Sequence, residues 1–434
     1  MIDRAIIKIW GFTVGAVLWD DHNQLASFEY DPSFTKRGYE LSPLKMPLSK
    51  TIFSFPALRS KFDSEENTFN GLPGLLADVL PDRYGNRLIN TWLAQQGRPE
   101  NSMNPVEKLC FIGTRGMGAL EFTPSTNKRT DAFSLEMDSL VDVAAAMLNK
   151  RERFTTNVEK ESLEAMQDIL AIGTSAGGAR AKAIIAYNKD TGEVRSGQTD
   201  TPKGFKHYLI KLDGVDDAQF GTTKGYGRIE MAYYHMAIAC DIEMMPCLLL
   251  EENDRAHFLT ERYDREEGGI KHHIQTLCAI KHYDYNQVGD YSYEQLFQTM
   301  RELHLPYPQA EQLFRRMVFN VIARNCDDHT KNFAFRLKKD SHWEITPAYD
   351  ICYAYRPDSK WVSKHALTIN GKRENFTLED FITVAKSMNI KKPLEIIDHI
   401  NTQVQRWDSF AKMANVDPLN IKKIQDTLLN FKTD

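Results

Sequence analysis

Apolar and polar positions fall in short runs over the first part of the chain, separated by turn-forming residues. Ile6–Trp10 and Val14–Trp19 predict two strands and Ala26–Tyr30 a third. Gly71–Gly74 opens a helix expected over Leu75–Val79, and a longer one is expected over Pro81–Gln96. Phe111–Gly118 reads as a glycine-rich turn before the apolar string Ala119–Phe122. A phosphate cradle in that turn would lack its Lys-Ser/Thr pair and its carboxylates, so tight turn packing is expected. Polar Ser125–Thr130 marks a boundary, and Phe133–Leu148 predicts a helix beyond it.

The middle of the chain changes pattern. Apolar Ile169–Ile172, a small-residue loop Gly173–Gly178 and an apolar run ending at Tyr187 predict strand, loop and strand. A polar excursion over residues 188–206 leads to the strand His207–Leu212. A helix is expected to follow Tyr226, with Ile229, Tyr233, Met236 and Cys240 on one face. Leu248–Leu250 and Phe258–Arg265 predict two more strands. Ala310, Leu313, Phe314, Met317, Val318, Val321 and Ile322 mark the core face of another helix, with Glu311, Gln312, Arg315, Arg316 and Asn320 facing away. Residues 333–346 predict a hairpin and Ala366–Arg373 a strand. Helices are expected over Leu378–Met388, Leu394–Met413 and Leu419–Phe431.

At 434 residues the chain exceeds one comfortable core, so two or three lobes are expected. Its 42% hydrophobic and 26% charged content is that of a globular protein. A formal charge of −5 gives no overall pull toward nucleic acid, so any DNA contact is expected mainly through a partner. No apolar run approaches the roughly 18 residues of a membrane span, and the start has no signal-peptide pattern, so a cytoplasmic location without membrane contact is expected. The six cysteines are scattered and read as reduced thiols. His272, His273 and His282 lack ligand-spaced partners, so no metal is expected there.

Four ordered features carry candidate chemistry. Gly173, Gly177 and Gly178 let backbone amides approach a polyanion. The loop is neither a Walker A sequence, since Ala179 stands where lysine is needed, nor G-x-G-x-x-G, and a plain glycine-rich hairpin is the alternative. Lys211 lies inside an apolar run, and a buried lysine wants an anionic partner; a strand-edge lysine reaching solvent is the alternative. Glu230, the sole acidic residue between Arg228 and Cys240, is the partner candidate, although a helix dipole also favours a first-turn glutamate. Last comes Asn325–Asn332, N-C-D-D-H-T-K-N, where Asp327 and Asn332 stand in D-x-x-x-x-N spacing.

Phosphoryl transfer needs an aligned hydroxyl, an acceptor for its proton and cations on the phosphate oxygens. Asp327 fits the acceptor, Asn332 a neutral oxygen ligand for Mg2+, and Asp350 a charged one. A hairpin over 333–346 returns the chain to its start and so brings Asp350 near Asn332. Lys331 and His329 add positive charge or orient Asp327, and Asp328 is left as a turn residue. The strand over Phe258–Arg265 ends in a charged string, as expected where a chain lines a nucleotide cleft, and the backbone at Glu261 and Tyr263 is the candidate to meet an adenine edge. A capped polar turn is the plain alternative for the central motif. A small-molecule or lipid phosphotransferase, and a kinase-shaped co-repressor acting by binding its partner, are the competing functions.

With these residues in hand, the chain resembles the HipA family of serine/threonine kinases, toxins of bacterial toxin–antitoxin pairs, over essentially its whole length. The resemblance rests on G-T-S-A-G-G-A-R-A-K, H-Y-L-I-K-L, T-E-R-Y-D-R, C-D-D-H-T-K-N-F and T-P-A-Y-D. W-G-x-x-V-G-A-V and R-G-M-G-A-L-E-F near the start add to it. It implies an α+β, two-lobed kinase-like fold. A β-rich N-terminal subdomain would span 1–125, a kinase N-lobe 126–264, and a mainly helical C-lobe 265–434. It further implies Asp327 as catalytic base, Asn332 and Asp350 on magnesium, and Lys211 on ATP phosphates. Lys182 takes the trailing lysine position of a nucleotide loop made of Gly173, Thr174, Ser175, Ala176, Gly177 and Gly178. Ser175, with Thr174 as the alternative, matches a loop residue whose autophosphorylation disables the kinase. The implied partners are a small dimeric helix-turn-helix antitoxin, HipB, which binds operator DNA, and glutamyl-tRNA synthetase as substrate.

Overall fold

The computed structural model describes residues 2–59, 67–126, 180–197, 201–215 and 224–431, with positions 135, 137, 140, 141, 144, 145 and 173. Alternation along β1 (Arg4–Ile9) turns Ala5, Ile7 and Ile9 inward. β2 (Phe12–Asp20) and β3 (Leu25–Tyr30) follow as the apolar runs predict. A one-turn helix at Gly74–Ala77 ends two residues short of the expected Val79. α1 (Arg83–Gln95) begins where the Asp82 carboxylate accepts the Gly85 N–H, a side-chain cap that stops the helix extending back to Pro81. α2 (Pro105–Ile112), capped by Asn104, takes up Phe111 and Ile112, so the glycine-rich turn starts only at Gly113. β4 (Glu121–Thr123) completes an antiparallel sheet ordered β3-β2-β1-β4.

A second antiparallel sheet holds β5 (Lys182–Tyr187), β6 (Val194–Ser196) and β7 (Lys206–Lys211). The helix α3 (Tyr226–Ala239) then precedes β8 (Cys247–Glu252) and β9 (Arg255–Glu261), and the strand order is β6-β5-β7-β9-β8. Its core joins Ala183, Ile185, Tyr208, Ile210 and Leu259 to Tyr84 and Leu88 of α1. Positions 137, 140, 141, 144 and 145 are helical, as expected over Phe133–Leu148; the remainder of that helix lies outside the described residues. The strand expected over Ile169–Ile172 and the loop residues Thr174, Ser175, Ala176, Gly177 and Gly178 also lie outside them. Gly173 is described, and it is helical and buried rather than part of an open loop. A Cβ there would meet Leu88 Cδ1 at 2.7 Å.

Helix α3 lies close on this sheet because Gly227 carries no side chain. A Cβ at that position would stand 2.0 Å from the Ala256 carbonyl oxygen of β9. Gly227→Ala must therefore lift the helix from the strand, and with it Glu230. Such overpacking is expected to cost about 1–3 kcal/mol, read as a lowered midpoint in urea unfolding.

The C-terminal part opens with β10 (His273–Thr276), α4 (Leu277–Lys281), α5 (Tyr293–Glu302) and α6 (Tyr307–Ile322). The apolar face of α6 is buried as its periodicity predicts, but Arg316 and Asn320 are buried too, against the outward placement expected of them. Arg316 donates to the Thr346 carbonyl at 2.7 Å and Asn320 to the Tyr293 hydroxyl at 3.0 Å. Both side chains satisfy groups on chain wrapped around the helix, which periodicity alone does not register. The predicted hairpin is β11 (Ala334–Leu337) and β12 (Trp343–Ile345), with Phe335 opposite Ile345.

Ala366–Arg373 is not a strand; it makes isolated bridges, Thr368 with Ser292 and Ile369 with Lys372. α7 (Leu378–Met388) matches expectation. The helix expected over Leu394–Met413 is two, α8 (Pro393–Val404) and α9 (Trp407–Met413). The chain turns at Gln405 and Arg406 so that Trp407 can enter the core, 5.3 Å from the Tyr233 ring, with its indole N–H on the Ile421 carbonyl. α10 (Pro418–Gln425) ends before the expected Phe431. No helix among the described residues is long and apolar enough to cross a membrane.

Candidate active site

The β5–β7 register places Lys182 directly opposite Lys211. Two ammonium groups side by side repel unless carboxylates offset them, and the fold supplies two of these to Lys211 from different directions. Lys211 Nζ donates to Glu230 Oε1 of α3 and to Asp350 Oδ1, delivered by the chain after β12. Burial works against the Lys211 charge, but Asp350 and Glu230 outweigh it and hold its pKa above the usual lysine range. Burial likewise opposes the Asp350 charge, yet Lys211 and then Lys182 hold that carboxyl at about 2. Burial pushes Glu230 upward, with Lys211 pulling the other way. The strand lysine, the helix glutamate and the later aspartate thus meet in one cluster.

Hairpin geometry explains the arrival of Asp350. The Thr346 N–H returns to the Ala334 carbonyl at 3.0 Å, so the strand after the turn ends beside the start of the first. Asp350 itself sits at φ 52°, a left-handed conformation costly for a residue with a Cβ. Asn325 Nδ2 holds the Asn320 side-chain oxygen at 3.0 Å, tying the central loop to α6.

Within that loop, Asn332 Nδ2 donates to the Asp327 carbonyl at 2.7 Å, which turns the amide oxygen of Asn332 the other way. Asn332 and Asp350 line the same small cavity. One amide oxygen and one carboxylate suit Mg2+, which keeps waters and takes its remaining ligands from substrate phosphates. The donors present therefore fit the ion that the sequence implies.

The Asp327 side chain is 50% exposed, open to an incoming group, and its Oδ1 lies 3.8 Å from His329 Nε2. His329 Nδ1 accepts the Lys331 N–H at 3.2 Å, so the ring proton is on Nε2, facing Asp327. Lys331 lies over the Tyr285 ring at 4.7 Å, and burial works against its charge while Tyr285, Asp78 and Asp82 support it.

At the end of β9 the ladder leaves an open edge. The Glu261 N–H donates to the Pro246 carbonyl at 2.9 Å, and the reciprocal bond is missing because proline has no N–H. Two residues on, the Tyr263 carbonyl is taken by Arg336 at 2.5 Å, while its N–H has no hydrogen bond among the described residues. The Glu261 carbonyl and the Tyr263 N–H, open among the described residues, have the polarity that would complement the amino group and ring nitrogen of an adenine. The Glu261 side chain turns away to Lys206 at 3.0 Å.

Several residues that the sequence did not single out complete this site. Asp328 is no surface turn residue. Its fully buried carboxylate accepts from Tyr293 Oη at 2.8 Å, His365 Nδ1 at 2.9 Å and the Ala366 N–H at 2.7 Å. Asp78 accepts from Thr276 N at 2.7 Å and Oγ1 at 2.8 Å, and Asp82 lies 3.5 Å from Lys182. The Tyr349 hydroxyl donates to the Lys331 carbonyl at 2.6 Å while its ring stacks on Tyr263, joining the chain after β9 to the central loop. The glycine-rich turn is tied down by a buried carboxylate of the chain itself. The Gly118 N–H is held at 2.7 Å by Asp264, which Arg262 and Arg265 in turn hold.

A two-lobed, kinase-like α+β architecture is what these elements define. Across 98% of its length the chain superposes on all of the HipA chain from a Shewanella oneidensis complex of HipA, HipB and operator DNA. The TM-score is 0.67 at 14% identity, which speaks to the fold. Residues 5–123 match the HipA N-terminal domain and residues 174–407 the HipA-like C-terminal domain. The chain belongs to the HipA family. Y4mE of Sinorhizobium fredii, which carries the name of a kinase, is 29% identical over 40% of this chain and 43% of its own length. A Haemophilus influenzae protein of similar name is 30% identical over 22% of this chain and 30% of its own. The chain thus spans less than half the length of these curated relatives.

Proposed function

We propose that this chain is an ATP- and Mg2+-dependent serine/threonine protein kinase, the toxin of a HipBA-type module. The observation that carries the reading is the joint engagement of Lys211 by Glu230 and Asp350. Lysine, helix glutamate and metal-site aspartate are together what orders a kinase nucleotide site. In this reading Glu261 and Tyr263 hold adenine, and Lys211 and Lys182 meet the phosphates with the loop that includes Ser175. The acceptor hydroxyl gives its proton to Asp327 as its oxygen bonds to the γ-phosphorus. The bond from that phosphorus to the bridging oxygen breaks, and ADP leaves with the bonding electrons. Bound between Asn332, Asp350 and the phosphates, Mg2+ would supply charge neutralisation.

The finer assignments belong to the same reading. Ser175, or Thr174 beside it, is the autophosphorylation site, where a dianion would repel the nucleotide phosphates. The partner is a HipB-like helix-turn-helix antitoxin through which the chain reaches operator DNA; the Shewanella complex has this composition. Glutamyl-tRNA synthetase is the proposed substrate, and cytoplasm the proposed location. Purified chain supplied with radiolabelled ATP and cell lysate is expected to label one protein band. Label confined to small metabolites or lipid would replace this reading with a small-molecule or lipid phosphotransferase.

A further inference from the structure

Helix α1 belongs to the N-terminal part of the chain, yet its first turn reaches the lysine pair. Asp82 Oδ1 accepts the Gly85 N–H at 2.8 Å and so caps the helix. Capping uses one oxygen. The other, Oδ2, is buried, accepts no hydrogen bond among the described residues and points to Lys182 Nζ at 3.5 Å. With the Asp82 side chain only 9% exposed, an unbonded carboxylate oxygen is costly and calls for a reason beyond the cap. Asn or Ser would cap equally well without that cost.

Lys182 supplies the reason. It is buried, it faces Lys211 across β5 and β7, and the Glu230 and Asp350 carboxylates are already engaged by Lys211. Asp82 offers a counter-ion from the opposite side. The same helix brings Tyr84 and Leu88 against Gly173 and Asp82 to Lys182, so α1 touches both of these described positions.

We propose that Asp82 is a positioning residue for the nucleotide site, holding the Lys182 ammonium where the polyphosphate arrives and keeping it from collapsing onto Asp350. The N-terminal part of the chain thereby completes the phosphate side of the kinase site. This rests on the nucleotide-binding reading above. If Asp82 instead acted mainly by repelling phosphate, its neutralisation would tighten nucleotide binding.

The test is calorimetric titration of the full chain with MgADP. Asp82→Asn retains the cap and removes the charge, so thermal unfolding should be unchanged while Kd rises about tenfold. In a Lys182→Met background the same substitution should change Kd by less than about twofold, because the two residues act as one unit. If Asp82→Asn lowers the unfolding midpoint, Asp82→Ser, a second good cap, should still show the weakened binding. Unchanged or tighter MgADP binding in Asp82→Asn overturns the inference, as does an equal loss in the Lys182→Met background. Wild-type chain that fails to bind MgADP overturns the nucleotide reading itself, and this inference with it.

Discussion

Asp327→Asn is expected to lower the phosphotransfer rate by about 10²–10⁴-fold, the usual worth of a positioned general base. At 1.36 kcal/mol per decade this is about 3–5 kcal/mol of transition-state stabilisation. The substitution is close to isosteric and leaves the loop intact, because Asn332 holds residue 327 through its main-chain carbonyl rather than its side chain. The variant should therefore unfold like the parent. Its KM for ATP should move by less than about threefold, since on the proposed reading Lys211, Asp350 and the edge at Glu261 and Tyr263, not Asp327, hold the nucleotide. His329 Nε2 would still face residue 327, but an amide cannot take the hydroxyl proton. Initial rates with purified chain and a labelled protein acceptor measure the loss, and full activity would remove Asp327 from its role.

Much of this cluster is readable in the sequence because each member stands out locally. Lys211 interrupts an apolar strand, Glu230 is the sole acidic residue of its helix, and Asp327 and Asn332 share one loop. Asp350 is reachable because a hairpin returns the chain a short distance, which needs only local turn geometry. The long-range partners leave no such mark. Asp82 looks like an ordinary helix cap, and nothing in L-P-D-R-Y-G indicates a lysine one hundred residues later. Arg316 and Asn320 occupy polar positions of a periodic helix, so periodicity places them outward, whereas chain wrapped around α6 buries them. Asp328 lacks the D-x-x-x-x-N spacing of Asp327 and so carries no local mark, while its partners come from α5 and from the segment after Lys364. The turn between α8 and α9 is equally tertiary, since the demand of the core for Trp407 overrides a continuous helical pattern.

Neighbouring aspartates in the central loop should therefore behave oppositely. Asp328→Ala strips the acceptor from the Tyr293 hydroxyl, the Ala366 N–H and the His365 ring, all buried. Removing one partner of a buried ion pair costs about 3–5 kcal/mol, so this variant should unfold at distinctly lower urea concentration while Asp327→Asn does not. The parent should also carry a pH signature. Burial alone would discharge His365, but Asp328 overrides it and raises the histidine to about 10, against an ordinary value of about 6.5. A histidine raised on folding binds its proton more tightly in the native state. Its stabilisation is thus fully present below about pH 6.5 and is lost as pH climbs through about 10. Unfolding free energy should fall across that window in the parent, and the fall should be smaller in His365→Gln, which keeps a donor for Asp328 but has no charge to lose. An identical pH profile in parent and variant would show that His365 is not the group responsible.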